Sequence, residues 1–385
     1  MVVVRVTCSW CCVVITHSIS AMTTIKSTEN MPTRALAEKR MTCPLAIAEP
    51  TLKKAKPQAR TPALLLCLSC VISNDPRLAD LILPASEASS AHVVILGIPT
   101  DEGIRRNGGR TGASEAPKAI RKRLGKLTPF AGPHFKRHLD ELKIADLGDI
   151  EPSDLETMHD AASTVTREMI ASGKIVIAMG GGHDVTYPLV QGFRSGLSGR
   201  DGQNEREVGL INIDAHLDVR EKKNGKHHSG SSFRLLLEEG IVKGEHFAEI
   251  GIQSFAASKE HFDWVLQQGA RILTFEDATE AHLPNASEEC EIAITRGDPD
   301  FPVYLSFDMD CVRASDAPGV SAPAPIGFLA EEAYELSVAA GLSKNVRMFD
   351  IVEVSPPHDV DGRTARLAAR MIAGFLAGVA NRNLP

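Results

Sequence analysis

The sequence predicts an α/β fold: three layers, α/β/α, around a mostly parallel sheet of about eight strands. Two patterns predict it. From about residue 73 onward, short β-branched runs that are apolar on both faces recur along the chain, and amphipathic stretches of helical length separate most of them. A third observation agrees. Carboxylates and imidazoles gather directly after several of these runs, and ligands of such sheets bind at the carboxyl ends of the strands.

The strand-like runs are residues 92–96, 142–145, 175–179, 208–213, 247–250, 270–273, 303–307 and 346–352. Each is too short for a buried helix and rich in Val and Ile, so extended structure is expected. Helical periodicity marks residues 114–124, 153–172, 185–194, 233–239, 259–268, 329–340 and 364–379. No internal repeat interrupts the alternation, so residues 73–385 read as one catalytic domain. Residues 1–72 read as an extension, disordered or targeting: they lack sustained periodicity and begin weakly basic, although Glu29, Glu38 and Glu49 count against an organellar transit peptide.

Composition excludes several function classes. A net charge of -7 argues against bulk electrostatic binding of nucleic acid. No apolar stretch approaches the roughly 18 residues of a membrane span, and a cytoplasmic location is expected. Six of the eight cysteines fall in the first 70 residues. Cys8–Cys11 and Cys67–Cys70 have the spacing of half a zinc site, but free thiols in a reducing compartment fit the unpatterned segment better.

Three clusters carry the chemistry. Asp214-Ala215-His216-Leu217-Asp218 follows the run 208–213, Gly180-Gly181-Gly182-His183-Asp184 follows 175–179, and Asp308-Met309-Asp310 follows 303–307. Alternation with apolar residues predicts that Asp214, His216 and Asp218 point to one side of an extended backbone, as do Asp308 and Asp310. With His183 these make four acids and two imidazoles. Four gathered carboxylates do not all stay ionised without cations. The oxygen-rich set without cysteine favours two Mn²⁺ per chain, or a similar first-row ion. Each cluster alone has a bland reading, as a glycine turn, a solvated turn or a helix cap; three on one rim do not. Two ions that share a water lower its pKa, so the site reads as metal-assisted hydrolysis. The three glycines are expected to let the backbone approach the metals.

With these motifs, and with Ala317-Pro318-Gly319-Val320-Ser321-Ala322-Pro323 and Glu353-Val354-Ser355-Pro356 downstream, the chain resembles the ureohydrolase superfamily of arginase, agmatinase and formimidoylglutamase. The resemblance spans roughly residues 90 to 380 and implies an arginase-like fold. It also implies that His183, Asp214, Asp218 and Asp308 hold one Mn²⁺, and that Asp214, His216, Asp308 and Asp310 hold the other. Asp218 would relay a proton to the leaving nitrogen, and Glu353 would bind the amidine nitrogens of the substrate. A homo-oligomer is implied as well.

The loop after the Asp-His-Asp cluster decides the branch. It reads His227-His228-Ser229-Gly230-Ser231-Ser232-Phe233, with Ser229 where arginases and agmatinases place a His. That substitution, with Arg105-Arg106-Asn107-Gly108-Gly109-Arg110 and the Arg-rich start of the last helix, resembles the formimidoylglutamase branch. His228 is the candidate replacement for the missing proton shuttle. The basic stretch 220–228 suits a small anionic amidine better than cationic agmatine. Arg110, Arg220, Ser229 and Ser231 are therefore the expected substrate contacts beside Glu353. Agmatinase or another guanidino-acid amidinohydrolase is the second enzymatic reading, and a catalytically silent homologue the third.

Overall fold

A computed structural model describes residues 75–198 and 206–382. The extension 1–72, with its Cys8–Cys11 and Cys67–Cys70 spacings, lies outside the described residues. Nine strands are described: β1 (Leu83–Pro84), β2 (Val93–Gly97), β3 (Ile144–Asp149), β4 (Ile175–Met179), β5 (Gly209–Ile213), β6 (Phe247–Ile252), β7 (Arg271–Thr274), β8 (Val303–Asp308) and β9 (Val346–Val352). They form one sheet in the order β1-β3-β2-β4-β9-β8-β5-β6-β7, and every neighbouring pair is parallel.

Ten α-helices join them: α1 (Glu102–Asn107), α2 (Ala116–Leu124), α3 (Leu155–Ala171), α4 (Thr186–Leu197), α5 (Ser232–Glu238), α6 (Lys259–Gln267), α7 (Phe275–Ala281), α8 (Leu283–Thr295), α9 (Ala330–Leu342) and α10 (Arg363–Asn381). The period-2 alternation of the strands sorts them into two cores. Val93, Ile95, Ile175, Ile177 and Ile211 face one layer, which holds α2, α8, α9 and α10. Val94, Leu96, Val176, Ala178 and Leu210 face the other, which holds α3, α4, α5 and α6. Both faces of the sheet are covered, which is why its strands read as continuous apolar runs.

The eight expected strands all form. The ninth, β1, is a two-residue edge strand beside β3 that carries no run of its own. Helices α1, α7 and α8 were not expected. In α8 the buried stripe is Leu283, Ala286, Cys290 and Ile294, and its small residues hide the helical period.

Candidate metal centre and active site

The four neighbouring strands β4, β9, β8 and β5 build the site at their carboxyl ends. His183 opens a 3-10 turn after β4, Asp308 is the last residue of β8, Asp214 follows β5, and Glu353 follows β9. The backbone reaches this geometry differently from the expected extended alternation. Asp310 sits in the 3-10 turn Met309–Cys311, with its N–H donating to Asp308 Oδ1 at 2.8 Å. Asp218 has a left-handed backbone, φ 46°. Turns, not a continued strand, aim these side chains together.

They converge. Nδ1 of His183 lies 3.1 Å from Asp214 Oδ2, 3.2 Å from Asp218 Oδ2 and 3.1 Å from Asp308 Oδ2. Nδ1 of His216 lies 3.4 Å from Asp214 Oδ1 and 3.2 Å from Asp310 Oδ2. Two ligand sets result, His183/Asp214/Asp218/Asp308 and Asp214/His216/Asp310, with Asp214 common to both. Asp308 falls in the first set only. Burial and mutual repulsion push the Asp308 and Asp310 carboxyls up, and the facing acids lift the His216 imidazole far above its ordinary value. Despite three oxygens around it, the buried Nδ1 of His183 makes no hydrogen bond. An orphaned imidazole nitrogen among convergent carboxylate oxygens is the donor arrangement of a cation site, and it fits a pair of divalent ions.

Polar residues inside the strands support the ligands. Nε2 of His183 meets Ser306 Oγ at 3.0 Å. Ser306 in turn donates to Asp350 Oδ1 at 2.7 Å, and Thr186 and Tyr304 donate to Asp350 Oδ2. This chain places the ring proton on Nε2 and leaves Nδ1 free for a metal. Asn212 donates to both Asp214 and Glu249. Gly181 has a separate task from the one expected: a Cβ there would lie 1.5 Å from the Thr100 carbonyl oxygen, so the glycine run serves chain packing next to β2.

A pocket of about 210 Å³ opens over the ligands, lined by His216, Asp218, Asp308, Asp310, Glu353, Arg220 and Ser229, among others. Glu353 is held from both sides. Its Oε1 accepts from His183 N–H at 2.9 Å, and Ser321 Oγ–H donates to its Oε2. Burial pushes its carboxyl up to about 8. At the rim, Arg220 donates to Asn107 Oδ1 at 3.0 Å, and Asn107 Nδ2 donates to Ser229 Oγ at 3.2 Å.

Other expected residues stand elsewhere. Arg110 donates to the carbonyls of Val320 and Ser321, so it anchors the loop that carries Ser321 and does not line the pocket. Ser231 is fully buried and exchanges hydrogen bonds with the backbone of His228. Both ring nitrogens of His228 are engaged, Nδ1 with Gly230 N–H and Nε2 with the Glu221 carbonyl. Nδ1 accepts and Nε2–H donates, so in this arrangement both ring nitrogens are turned to the backbone and neither faces the pocket. Lys223 and Lys226 bracket an exposed turn at Asn224-Gly225, where both residues have positive φ, so of the basic loop only Arg220 reaches the pocket. Asn107, Ser306, Ser321 and Asp350 were not singled out from sequence; Ser306 and Asp350 were signalled by being polar inside apolar runs.

The model of the Arginase family matches residues 91–378. The chain belongs to the arginase family. Among curated proteins it is 34% identical to a formimidoylglutamase of Ralstonia nicotianae over 308 residues, which cover 79% of this chain and 89% of that protein. Among solved structures, a Trypanosoma cruzi formiminoglutamase with Mn²⁺₂ is 33% identical with a TM-score of 0.74, over 80% of this chain and all of that one. A proclavaminate amidino hydrolase from Streptomyces clavuligerus is 26% identical with a TM-score of 0.68, over 80% of this chain and 98% of that one. The arginase fold and a metal-dependent amidinohydrolase follow from family membership. Among the described residues no helix is long and apolar enough to cross a membrane.

Proposed function

We propose that this chain is a binuclear manganese hydrolase that cleaves N-formimidoyl-L-glutamate to L-glutamate and formamide. The observation that carries the reading is the joint placement of two ligand sets sharing Asp214, Glu353 and the cationic rim residue Arg220 around one small pocket. When bound, two Mn²⁺ lower the pKa of water towards neutrality and so supply a nucleophile at neutral pH. His183, Asp214, Asp218 and Asp308 would hold one ion, and Asp214, His216 and Asp310 the other.

The remaining roles follow from position. Glu353, fixed by His183 N–H and Ser321, presents a carboxyl oxygen to the formimidoyl nitrogen and orients the electrophilic carbon. Asp218 is the ligand acid with a partly exposed side chain open to the pocket, which suits it to pass a proton to the departing glutamate nitrogen. Arg220, steadied by Asn107, pairs with a substrate carboxylate, and Ser229 adds a neutral contact. The bond that breaks joins the formimidoyl carbon to the glutamate nitrogen, and one water is consumed. A rim cation disfavours the cationic tail of agmatine.

Turnover of formimidoylglutamate, agmatine, arginine and guanidinobutyrate by the Mn²⁺-loaded chain tests the reading. Formimidoylglutamate is expected to dominate; turnover of a cationic substrate alone refutes it. The reading also carries a homo-oligomer and a cytoplasmic location, which light scattering and imaging of a tagged chain would check.

A further inference from the structure

All strands run parallel, so the sheet has two chemically distinct edges. The metal site takes the carboxyl edge. At the amino edge, below the starts of β2, β4, β8 and β9, lies a second pocket of about 520 Å³. Among the described residues, five cationic side chains line it, Lys174, Arg206, Lys344, Arg347 and Arg382, against one carboxylate, Asp300.

Their partners among the described residues are carbonyl oxygens. Lys174 donates to the Ser89 and Ala91 carbonyls at 2.7 Å, Arg206 to the Asp300 carbonyl at 2.6 Å, and Arg382 to the carbonyls of Ser343 and Val346. Arg347 has one long contact, 3.4 Å to the Gly173 carbonyl. Helix C-termini at this edge account for some of this, because α3 ends beside Gly173 and α9 beside Ser343, and each carries a partial negative charge. Arg382 Nη1 is used partly in that way, on the Ser343 carbonyl past the end of α9, and partly on the Val346 carbonyl at the start of β9. Arg347 is not fully used: it is partly buried, has no carboxylate partner among the described residues, and both its own burial and the neighbouring Arg206 disfavour its charge. A partly desolvated guanidinium without a counter-ion is costly, and a cavity beside it is where a counter-ion is accommodated.

We propose that this pocket binds a small multivalent oxyanion, a phosphate or a polycarboxylate, held by Arg347, Arg206 and Lys344. The site is separate from the metal centre and does not rest on the substrate assignment. Guanidinium forks and an ammonium group match the oxygens of either anion.

Isothermal titration of the full chain with orthophosphate and, separately, citrate, at constant ionic strength set by chloride, tests this. Binding is expected for at least one anion, and which one identifies the class. Arg347→Met and Arg206→Ser should each weaken it by about tenfold or more, the loss expected for one charged hydrogen bond, with kcat unchanged. Arg206 is exposed, so Arg206→Ser tests the site even if Arg347→Met misfolds. Arg220→Ala should leave the binding intact. No anion binding beyond chloride, or binding lost in Arg220→Ala and retained in Arg206→Ser, overturns the proposal and leaves these cations as helix caps.

Discussion

Ser306→Ala isolates what the strand-embedded polar residues do. The hydroxyl lies 3.0 Å from Nε2 of His183 and donates onward to Asp350, in a fully buried position. Without it, the Nε2–H has no acceptor once Nδ1 is committed to a metal. Before loading, Nδ1 faces three carboxylate oxygens and can hold the ring proton itself, so the penalty falls mainly on the loaded state. Leaving such a group unsatisfied costs about 1–3 kcal/mol. At 1.4 kcal/mol per tenfold, that is roughly 5- to 150-fold weaker Mn²⁺ binding, in line with the 10- to 100-fold typical when a ligand's hydrogen-bond support is removed. Stripping the protein with chelator and titrating Mn²⁺ back, with calorimetry alongside kcat at saturating metal, separates affinity from chemistry. Mn²⁺ affinity within twofold of wild type would refute the reasoning.

Further outcomes are expected. Glu353→Gln keeps both hydrogen-bonded neighbours but replaces an acceptor oxygen with an amide donor, which cannot accept from the amidine N–H, so kcat/KM should fall by about 100-fold or more while Mn²⁺ affinity holds; steady-state kinetics after metal analysis will show it. Arg220→Ala should raise KM for formimidoylglutamate roughly tenfold or more through loss of a charged contact, and Asn107→Ala should do so to a smaller degree. His227 is buried and its pKa is lowered to about 3 by desolvation. Its unfolded form, with the ordinary value near 6.5, takes up the proton first, so stability is unaffected above that pH and falls as pH drops from 6.5 towards 3. At about 1.4 kcal/mol per unit, this one residue costs about 2 kcal/mol at pH 5. Urea melts at pH 7 and 5 should show His227→Gln losing less stability than wild type. Gly181→Ala forces a clash with Thr100 and should lower both thermal stability and Mn²⁺ content.

The strands, and the six side chains that converge at their ends, were legible because each signal is local. An apolar run of five or six residues declares a covered strand, and acids after it declare an edge that binds something. Asp218 and Asp310 were placed correctly in the cluster for an incomplete reason, since turns and not alternation aim them. The rim was harder to read. Arg110 and Arg220 look alike in sequence, yet one is spent on the carbonyls of Val320 and Ser321 and the other faces the pocket. His228 looked available because one bond to its ring forms only when residues 228–231 fold into a 3-10 turn, and the other only when the loop brings the Glu221 carbonyl beside it. Helix α8 escaped because Ala286 and Cys290 are small, and its packing is set by the sheet above it.

Glu353 has a backbone φ of 64°, a region where a side chain of its kind is disfavoured by about 1 kcal/mol or more. Glycine would relax that position. Yet Glu353→Gly would also strand the buried His183 N–H and the Ser321 hydroxyl that now meet the carboxyl, a loss of about 1–3 kcal/mol, so the variant should melt lower, not higher. The left-handed kink at the end of β9 is held in place by the same two donors that meet the carboxyl it aims into the pocket.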